Sequence, residues 1–413
     1  MRGVPSLISD IRKKVFTEVA RMAYNGDDYT KAEDLPFLIV PGDQPLHRES
    51  IFLERAIAGE RVRLAMGLSV RSVQTRSLMT EGMDHAAIAK QYYEPPLINI
   101  IPYACHACPT KQYRVTELCQ GCLASSCQRV CPKGAIKFVN GKSRIDPAKC
   151  IRCGKCAQAC AYHAIVHLER PCQAACGMDA IGSDENGRAT INQEKCVSCG
   201  QCLVSCPFGA IVDKGQIYQV VRSIMEGDKV IAIMAPAFAR QFGKDVTAAK
   251  LSSALRALGF ADVVEVAIGA DICAVEEAKD FLEKVPAKQP FMATSCCPAW
   301  HAMVHKLFPA QAKNISMTLT PMVYTARMVK REQPDARIVF VGPCAAKKLE
   351  AIREDIRSDV DFVLTFEELQ GMFEAKEVDF ESLEEDPKLK NAGTAAGRGF
   401  AVAGGVAQAV VDI

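Results

Sequence analysis

The run Cys196-Val-Ser-Cys199-Gly-Gln-Cys202-Leu-Val-Ser-Cys206-Pro decides the fold of the central part of the chain. It places three cysteines at intervals of three residues and a fourth directly before a proline. A short loop of this kind supplies thiolates that converge on one 4Fe-4S cube, while a distant cysteine completes the cage. Sixteen of the 20 cysteines lie between Cys105 and Cys206, so iron–sulfur chemistry is the leading interpretation of this region.

Two complete copies of the run lie upstream, and a fourth copy is split. The complete copies are Cys119-x2-Cys122-x4-Cys127-x3-Cys131 and Cys150-x2-Cys153-x2-Cys156-x3-Cys160. The parts of the split copy are Cys105-x2-Cys108 and Cys172-x3-Cys176. We interpret residues 119–160 as one ferredoxin-like unit inserted into another, which separates the first two cysteines of the outer unit from its last two. The longer gap before Cys127 predicts a bulged ligand loop.

In two-cluster ferredoxins, the fourth cysteine of each run binds the cluster of the other run. The same crossing predicts four 4Fe-4S clusters, whose cysteines we name sets I to IV. Set I is Cys119, Cys122, Cys127 and Cys160; set II is Cys131, Cys150, Cys153 and Cys156; set III is Cys176, Cys196, Cys199 and Cys202; set IV is Cys105, Cys108, Cys172 and Cys206. Zinc ribbons have two Cys-x-x-Cys pairs without a three-cysteine run, and disulfide scaffolds are short secreted chains. Both alternatives therefore fit this pattern less well.

Composition and charge limit the classes of partner. The 413 residues include 50 Lys and Arg against 48 Asp and Glu, so bulk charge favours neither nucleic acid nor a membrane as a partner. Residues 1–14 are polar and lack the apolar core of a signal peptide, and no stretch approaches the roughly 18 apolar residues of a membrane span. We expect a soluble, cytoplasmic protein.

The chain upstream of the cysteines predicts a small helical domain. Residues 1–95 contain no cysteine. Ser9 followed by an aspartate offers an N-cap for one helix, and a second helix is predicted from about Ser50. Because nothing here has ligand spacing, a packing role is favoured over a catalytic one. We expect three domains, with the four-cluster region at 96–220 and the remainder at 221–413.

After the last cysteine run, short apolar runs alternate with amphipathic helices. The predicted strands are 230–234, 263–266, 291–293, 337–341 and 362–364, and the predicted helices are 246–258, 274–285 and 367–373. Such alternation is typical of an α/β domain whose site residues lie on loops at the strand ends. Cys297 and Cys344 both fall on such loops. The chain as a whole is predicted to be an α+β multidomain protein.

Two motifs in this last part resemble signatures of the iron-only hydrogenases. They are Thr294-Ser-Cys-Cys-Pro-Ala-Trp300 and Pro343-Cys-Ala-Ala-Lys-Lys-Leu-Glu350. The resemblance implies an H-cluster, in which a 4Fe-4S cube is joined to a diiron unit carrying carbonyl, cyanide and a bridging dithiolate amine. It also implies the reversible reduction of protons to hydrogen, a ferredoxin-like electron carrier as partner, and maturation proteins that build the H-cluster.

The resemblance assigns roles to individual residues. Cys297 and Cys344 are implied as thiolate ligands of the H-cluster cube. Cys296 is implied as a proton-carrying thiol, a role that suits a thiol of tuned pKa near a metal. The other implied residues are Lys347 as hydrogen-bond donor to a cyanide ligand, Glu277, Ser316 and Asp280 as a proton path, and Pro236 and Ala237 in the loop beside the diiron unit.

Without the motifs, some of these residues have plainer interpretations. Glu277 belongs to an acidic helix that equally fits a solvated face, and the pair Lys347 and Lys348 also fits a solvated face. Cys273 is expected in the apolar core. The glycine-rich stretch 393–405 lacks the Lys-Ser/Thr of a phosphate loop, so a tight loop over the diiron pocket is favoured over nucleotide binding.

The family's third signature, a Glu-x-x-x-Cys-x-x-Gly-Cys pattern that supplies the last two cube ligands, is absent before Ile413. We therefore expect a fragment of a longer hydrogenase, or a natural truncation, that does not hold the H-cluster alone. The alternative to a hydrogenase is a non-catalytic iron–sulfur electron-transfer or sensory protein with a vestigial hydrogenase domain. A role like that of the eukaryotic hydrogenase-like proteins of iron–sulfur assembly ranks last, because those lack multi-ferredoxin extensions.

Overall fold

The computed structural model describes residues 6–88, 93–389 and 393–413, and the first of these stretches is helical. Its elements are helix α1 (Leu7–Tyr24), a 3-10 helix (Tyr29–Asp34), α2 (Leu35–Ile39), α3 (Ile51–Ala65) and α4 (Met83–Ala86). Residues 1–5 and 89–92 of the predicted N-terminal domain lie outside the described residues. Ile57 and Leu64 of α3 share an apolar core with Cys172 and Cys206, so this stretch packs on the cysteine-rich region.

Serine caps begin both long helices of this stretch. The hydroxyl oxygen of Ser50 accepts a hydrogen bond from the backbone N–H of Phe52 at 3.2 Å, so the predicted start of α3 is confirmed. The predicted cap at Ser9 is wrong, because α1 begins earlier and Ser9 donates its own N–H to the hydroxyl of Ser6 at 3.3 Å. The serine that meets the first free N–H groups of a helix acts as its cap.

The cysteine-rich stretch folds into small antiparallel hairpins and single-turn helices. The elements are β1 (Ile98–Ile100), a 3-10 helix (Pro102–Ala104), β2 (Gln112–Val115), α5 (Ser126–Arg129), β3 (Ile136–Val139), β4 (Lys142–Ile145), α6 (Lys155–Gln158), β5 (Ile165–Leu168), α7 (Pro171–Ala174), β6 (Ile181–Ser183), β7 (Ala189–Ile191), α8 (Gln201–Ser205) and β8 (Ile211–Asp213). Strand β1 pairs with β8 and β6 with β7, whereas β2 pairs with β5 and β3 with β4. One paired unit therefore lies inside the other along the chain.

The last stretch is an α/β sheet with helical connections. Its elements are α9 (Ile217–Met225), β9 (Val230–Met234), a 3-10 helix (Pro236–Phe238), α10 (Ala248–Ala257), β10 (Asp262–Glu265), α11 (Ala267–Lys284), α12 (Pro298–Leu307), a 3-10 helix (Pro309–Asn314), α13 (Pro321–Glu332), β11 (Arg337–Gly342), α14 (Ala346–Ala351), β12 (Phe362–Thr365), α15 (Phe366–Ala375), α16 (Ala395–Gly399) and α17 (Gly405–Val411). The strands are parallel in the order β10-β9-β11-β12. Every residue of β9 is buried, as expected of a strand covered on both faces.

The N-terminal helix belongs to the core of this sheet. Helix α1 packs along α15 and α9, and its Val15 and Val19 lie in one apolar cluster with Ile231 and Val339 of the sheet. The helical stretch therefore contacts both the cysteine-rich region and the parallel sheet. The boundaries between the three predicted domains stay a prediction.

Four of the five predicted strands of this region are confirmed within a residue or two, and one is wrong. Residues 291–293 form only a single bridge, between Ala293 and Ile315. The apolar run is present, but no continuous neighbouring strand pairs with it. Among the described residues, no helix combines the length and apolar character needed to cross a membrane.

Candidate functional site

The four cysteines of set IV line one small cavity, although they come from three separate stretches of the chain. Burial raises the pKa of Cys172 to about 11, and the neighbouring thiol of Cys206 contributes to the shift, as do those of Cys105 and Cys108. Such coupling requires ionisable groups that lie close together. Cys206 therefore meets the cysteines of the split copy.

Set III shows the complementary half of the crossing. Burial raises the pKa of Cys202 to about 12, and its thiol neighbours are Cys196, Cys199 and Cys176. Cys176 is also a thiol neighbour of Cys196. The structure thus brings Cys176 to the run at residues 196–202, as the crossed arrangement of two-cluster ferredoxins requires.

The cysteines of set II also line one small cavity. Burial raises the pKa of Cys156, with Cys150 and Cys153 as thiol neighbours. Cys131 reaches the same cavity from the preceding run, and its sulfur accepts the backbone N–H of Ala135 at 3.3 Å. The inserted unit therefore crosses at Cys131 just as the outer unit crosses at Cys176.

In set I, Ser143 connects two of the cysteines. Its N–H donates to Sγ of Cys119 at 3.5 Å, and its hydroxyl oxygen lies 3.4 Å from Sγ of Cys127. That N–H donor is the main cause of the lowered pKa of Cys119. Cys160 packs in the same small core as Cys127, and Cys122 is half-buried in the adjoining loop.

The first Cys-x-x-Cys pair of each of the four copies has the same backbone conformation. The residue before the second cysteine has a positive φ in each pair, with values of 45° at Ala107, 60° at Gly121, 59° at Arg152 and 52° at Ser198. Left-handed residues other than glycine are uncommon, and three of these four are not glycine. The split pair at Cys105 and Cys108 therefore has the loop geometry of the complete runs.

Backbone N–H groups surround the cysteine sulfurs. The donors to sulfur, at 3.3 to 3.5 Å, are Ala135 to Cys131, Ser143 to Cys119, Arg152 to Cys150, Ala164 to Cys160, Ala180 to Cys176, Ala189 to Cys105 and Ser198 to Cys196. Hydrogen bonds to the sulfurs stabilise and tune iron–sulfur clusters. Within the described stretches, no three His, Cys, Asp or Glu side chains are arranged to hold a single metal ion. The cysteines of a cube each bind a different iron atom and need not converge on one point. The sets fit 4Fe-4S clusters.

Lys347 joins the two hydrogenase-like motifs. Its Nζ donates to the backbone carbonyl oxygen of Cys296 at 3.1 Å and pairs with Oε2 of Glu350 at 2.6 Å. Glu350 is buried and also accepts a hydrogen bond from the hydroxyl of Thr320 at 2.7 Å. Burial raises the pKa of the Cys296 thiol, while the nearby ammonium of Lys347 opposes the rise.

Glu277 is a buried acid beside Ser316. Its side chain is 1% exposed, so the solvated-face interpretation of this residue is wrong. Burial raises the pKa of Glu277 to about 7, and the neighbouring polar side chain of Ser316 limits the rise. Asp280 lies one turn further along α11 and pairs with Lys284 at 2.7 Å. Cys273 is buried, as expected, and Glu277 and Cys296 are among its ionisable neighbours.

The predicted H-cluster ligands lie at element ends. Cys297 is the exposed residue directly before α12, and half-buried Cys344 follows β11. Pro236 and Ala237 lie in the short 3-10 helix after β9, whose neighbouring strand is β11. Cys344 and the predicted loop thus lie at the carboxyl ends of the parallel strands β11 and β9, as in an α/β site. The predicted strand-end position of Cys297 is wrong, because residues 291–293 before it form only a single bridge. The thiols of Cys297 and Cys344 are two of the four thiolate ligands that the predicted 4Fe-4S cube needs.

Lys348 is a residue whose setting the sequence did not reveal. It is fully buried rather than solvated, and its Nζ donates to Oδ2 of Asp213 at 2.9 Å and to Oε1 of Glu368 at 3.0 Å. Asp213 ends β8 of the cysteine-rich region, and Glu368 belongs to α15. The ammonium therefore connects the second hydrogenase-like motif to the region that carries set IV.

Set III lies beside the helix that follows Cys297. Ala299 and Met303 of α12 pack in one apolar cluster with Cys176, Cys196 and Cys199. Lys306 at the end of the same helix donates from Nζ to the backbone carbonyl oxygen of Cys196 at 2.8 Å. The helix is therefore a direct physical connection between set III and the first hydrogenase-like motif.

Family comparisons bear on the same residues. A family description for the iron only hydrogenase large subunit, C-terminal domain, matches residues 228–413. The 4Fe-4S dicluster domain matches residues 111–161, and the 4Fe-4S binding domain matches residues 189–212. The chain belongs to the iron-only hydrogenase family. The match at 228–413 includes both hydrogenase-like motifs, and the other two matches lie in the cysteine-rich stretch.

Individual relatives of this iron-only hydrogenase family member include enzymes and an assembly factor. Iron hydrogenase 1 of Clostridium pasteurianum is 32% identical over 307 residues, which is 68% of this chain and 53% of that protein. The periplasmic Fe hydrogenase large subunit of Nitratidesulfovibrio vulgaris is 32% identical over 65% of this chain and 66% of its own length. The cytosolic Fe-S cluster assembly factor NAR1 of Yarrowia lipolytica is 33% identical over 37% of this chain and 35% of its own length.

The chain spans about half of the length of the clostridial relative. Among solved structures, it is similar to an apo FeFe-hydrogenase HydA1 variant from Chlamydomonas reinhardtii, at 28% identity over 45% of this chain and 52% of that chain, with a TM-score of 0.38.

Proposed function

We propose that this chain carries electrons through four 4Fe-4S clusters at sets I to IV to an H-cluster-type site at Cys297 and Cys344, where protons are reduced reversibly to hydrogen. The observation that carries the proposal is the crossing of Cys176 and Cys206 between sets III and IV. This crossing is how two-cluster ferredoxins hold two cubes close enough to exchange electrons.

The contacts between the sets and the sheet support a direction for electron flow. The inserted unit, with sets I and II, lies between the strands of the outer unit along the chain and receives electrons from a ferredoxin-like carrier. The outer unit, with sets III and IV, contacts the α/β part of the chain through α12 and through Lys348 of α14. Set III contacts α12 next to Cys297, so it is the last cluster before the candidate active site.

An H-cluster bound at Cys297 and Cys344 would supply the exchange of electrons and protons with hydrogen. The ammonium of Lys347 lies between Cys296 and Glu350, where it offers a charged donor to an anionic ligand. The Cys296 thiol has a raised pKa and is therefore protonated at neutral pH. It holds a proton at Sγ beside the site.

Protons reach the thiol from Glu277 and Ser316. The pKa of about 7 at Glu277 means that this carboxyl gains and loses a proton with little cost near neutral pH, which is the condition for an efficient acid–base relay. Oε2 of Glu277 is buried without a partner among the described residues, so one oxygen is free to accept a proton. Asp280, nearer the end of α11, leads toward solvent.

A second function also has support. The similarity to NAR1 shows that related chains include an assembly factor. A non-catalytic iron–sulfur electron-transfer or sensory protein would need the four sets and not the second site. We rank this function behind that of a hydrogenase, because the buried acid Glu277 and the contact of Lys347 with the carbonyl oxygen of Cys296 have no use in a protein that only carries the four sets.

Hydrogen evolution from a reduced carrier tests the proposal. The chain is expressed anaerobically with the H-cluster maturation proteins, and iron is counted on the same sample. Hydrogen formation that a Cys344→Ala variant abolishes is the expected result. An iron-loaded chain, with about sixteen irons for four cubes, that makes no more hydrogen than the variant would refute the catalytic proposal in favour of the second function.

A further inference from the structure

Buried guanidinium groups surround set IV on two sides. Arg170 is 2% exposed and Arg61 is 7% exposed. Arg170 precedes Cys172 by two residues, whereas Arg61 comes from helix α3 of the N-terminal stretch, which none of the family descriptions covers. Both side chains bond to the backbone of loops that carry set IV cysteines.

Arg170 donates its hydrogen bonds to neutral acceptors. Its Nε and Nη2 donate to the carbonyl oxygen of Cys108 at 3.2 and 3.0 Å. Its remaining bonds run to the carbonyl oxygens of Gly182 and Gly187, at 2.7 and 2.6 Å, and to the hydroxyl of Ser183 at 2.9 Å. Within the described stretches no carboxylate pairs with this guanidinium, so its positive charge is not compensated by the protein.

Arg61 is uncompensated in the same way. Its Nη2 donates to the carbonyl oxygen of Gly209, in the turn after Cys206, at 3.0 Å, while its Nε is buried and has no partner among the described residues. Arg48 adds a third guanidinium through a 3.0 Å bond to the carbonyl oxygen of Phe208. Burial and the neighbouring guanidiniums of Arg12 and Arg48 lower the pKa of Arg61 to about 10, so it stays charged at neutral pH.

Buried charges without a partner are costly, and proteins retain them where an opposite charge is present. A 4Fe-4S cube held by four thiolates is anionic, and it gains one further negative charge when it takes up one electron. Net charge near a cluster is one of the factors that set its reduction potential. Buried charges act more strongly than exposed ones, because salt screens them less.

We propose that Arg170 and the N-terminal Arg61 raise the reduction potential of the cluster at set IV by offsetting the negative charge that arrives with each electron. Arg48 acts in the same direction from the rim. The inference rests on the proposed function, since it needs a cube at set IV. It gives the N-terminal helical stretch an electrostatic role: α3 places a cation at the turn after Cys206 and keeps a buried cluster reducible.

A redox titration of the full chain, followed by electron paramagnetic resonance, tests the inference without any measurement of hydrogen. Arg61→Gln and Arg170→Gln remove the charges, and Arg61→Lys and Arg170→Lys keep them. Arg331→Gln, at an exposed position of α13, serves as the control for loss of an arginine. Each glutamine variant is expected to lower the midpoint potential of one cluster by at least about 59 mV. For a one-electron couple, this shift is a tenfold fall in the ratio of reduced to oxidised cluster at a fixed potential. The lysine variants and the control keep the wild-type potentials.

Iron counting separates the possible failures. Iron-loaded glutamine variants whose midpoint potentials all match the wild type overturn the inference and leave the proposed function standing. A wild-type chain that binds no iron overturns both. If Arg170→Gln loses the iron of set IV, Arg61→Gln decides the question, because Arg61 holds only one backbone carbonyl and lies outside the cysteine loops. A shift that persists in the lysine variants would indicate a structural role and would also overturn the inference.

Discussion

The ammonium of Lys347 donates a hydrogen bond to the backbone carbonyl oxygen of Cys296 at 3.1 Å, across 51 positions of the sequence. One side chain thereby holds together the two motifs that carry the predicted H-cluster ligands. The same ammonium neutralises the carboxylate of Glu350, which is 1% exposed. Replacement of Lys347 therefore has consequences for stability as well as for chemistry.

The Lys347→Met variant is expected to lose about 3 kcal/mol of stability, because it leaves the buried carboxylate of Glu350 without a counter-charge. Urea unfolding of the metal-free chain measures the loss. The double variant Lys347→Met/Glu350→Gln removes the stranded charge and is expected to recover most of the loss. Additive effects of the two substitutions would contradict the assigned ion pair, since coupled partners are non-additive.

Glu277 is expected to titrate near neutral pH. Its pKa of about 7 in the folded chain lies above the ordinary carboxyl value, because burial disfavours the charged form. The protonated form is thus favoured by folding, so this residue costs stability as the pH rises from about 4.5 through 7. Infrared spectra are expected to show a protonated-carboxyl band at pH 6 that fades by pH 8 and is absent in Glu277→Gln. A band that survives in Glu277→Gln but disappears in Asp280→Asn would show that Asp280, and not Glu277, is the protonated acid.

Pairs of cysteine substitutions test the crossing of sets III and IV. Cys172 and Cys206 belong to one set, so Cys172→Ala/Cys206→Ala is expected to lose about four irons. Cys176 and Cys206 belong to different sets, so Cys176→Ala/Cys206→Ala is expected to lose about eight irons. Iron analysis of the purified chains measures both. Equal losses in the two double variants would show that the fourth cysteines do not cross.

The buried ammonium of Lys348 is expected to hold the cysteine-rich region on the sheet. Lys348→Met leaves Glu368 buried without a cation and Asp213 with only the 3.4 Å contact to Arg12, which costs about 3 to 5 kcal/mol. The exposed pair of Lys279 and Glu276 provides the matched control, and Lys279→Met is expected to cost less than about 1 kcal/mol. Denaturant unfolding compares the two. Similar losses in both variants would mean that the buried cluster contributes nothing beyond a surface pair.

The cysteine runs could be located from the sequence because ligand spacing within a loop is a local property, whereas the assignment of the runs to sets I to IV stays a prediction. Strand β9 could also be located, and its apolar run Val230–Met234 is buried as predicted. The serine cap of α1 was missed because Ser6 and Ser9 are both suitable caps, and only the helix start distinguishes them. Residues 291–293 resemble a strand locally, yet pairing depends on a neighbour that the sequence does not identify.

The settings of Glu277 and Lys348 were not predictable, because burial of a charged side chain depends on distant partners. Ser316 meets Glu277 from another element, and Asp213 meets Lys348 across 135 positions of the sequence. The left-handed backbone before the second cysteine of each copy was also not predictable, because Ala107, Arg152 and Ser198 are not glycines, the residue type that usually marks such a conformation. A repeated non-glycine left-handed position becomes visible only when the backbone is known.

The central claim is that this chain holds a complete four-cluster relay, and iron counting together with spin counting tests it most directly. The anaerobically purified chain is reduced fully, and its electron paramagnetic resonance signal is integrated. The account predicts about sixteen irons and about four unpaired-electron equivalents per chain, one for each cube. About eight irons with half of that spin, or zinc in place of iron, would contradict the assignment of sets I to IV.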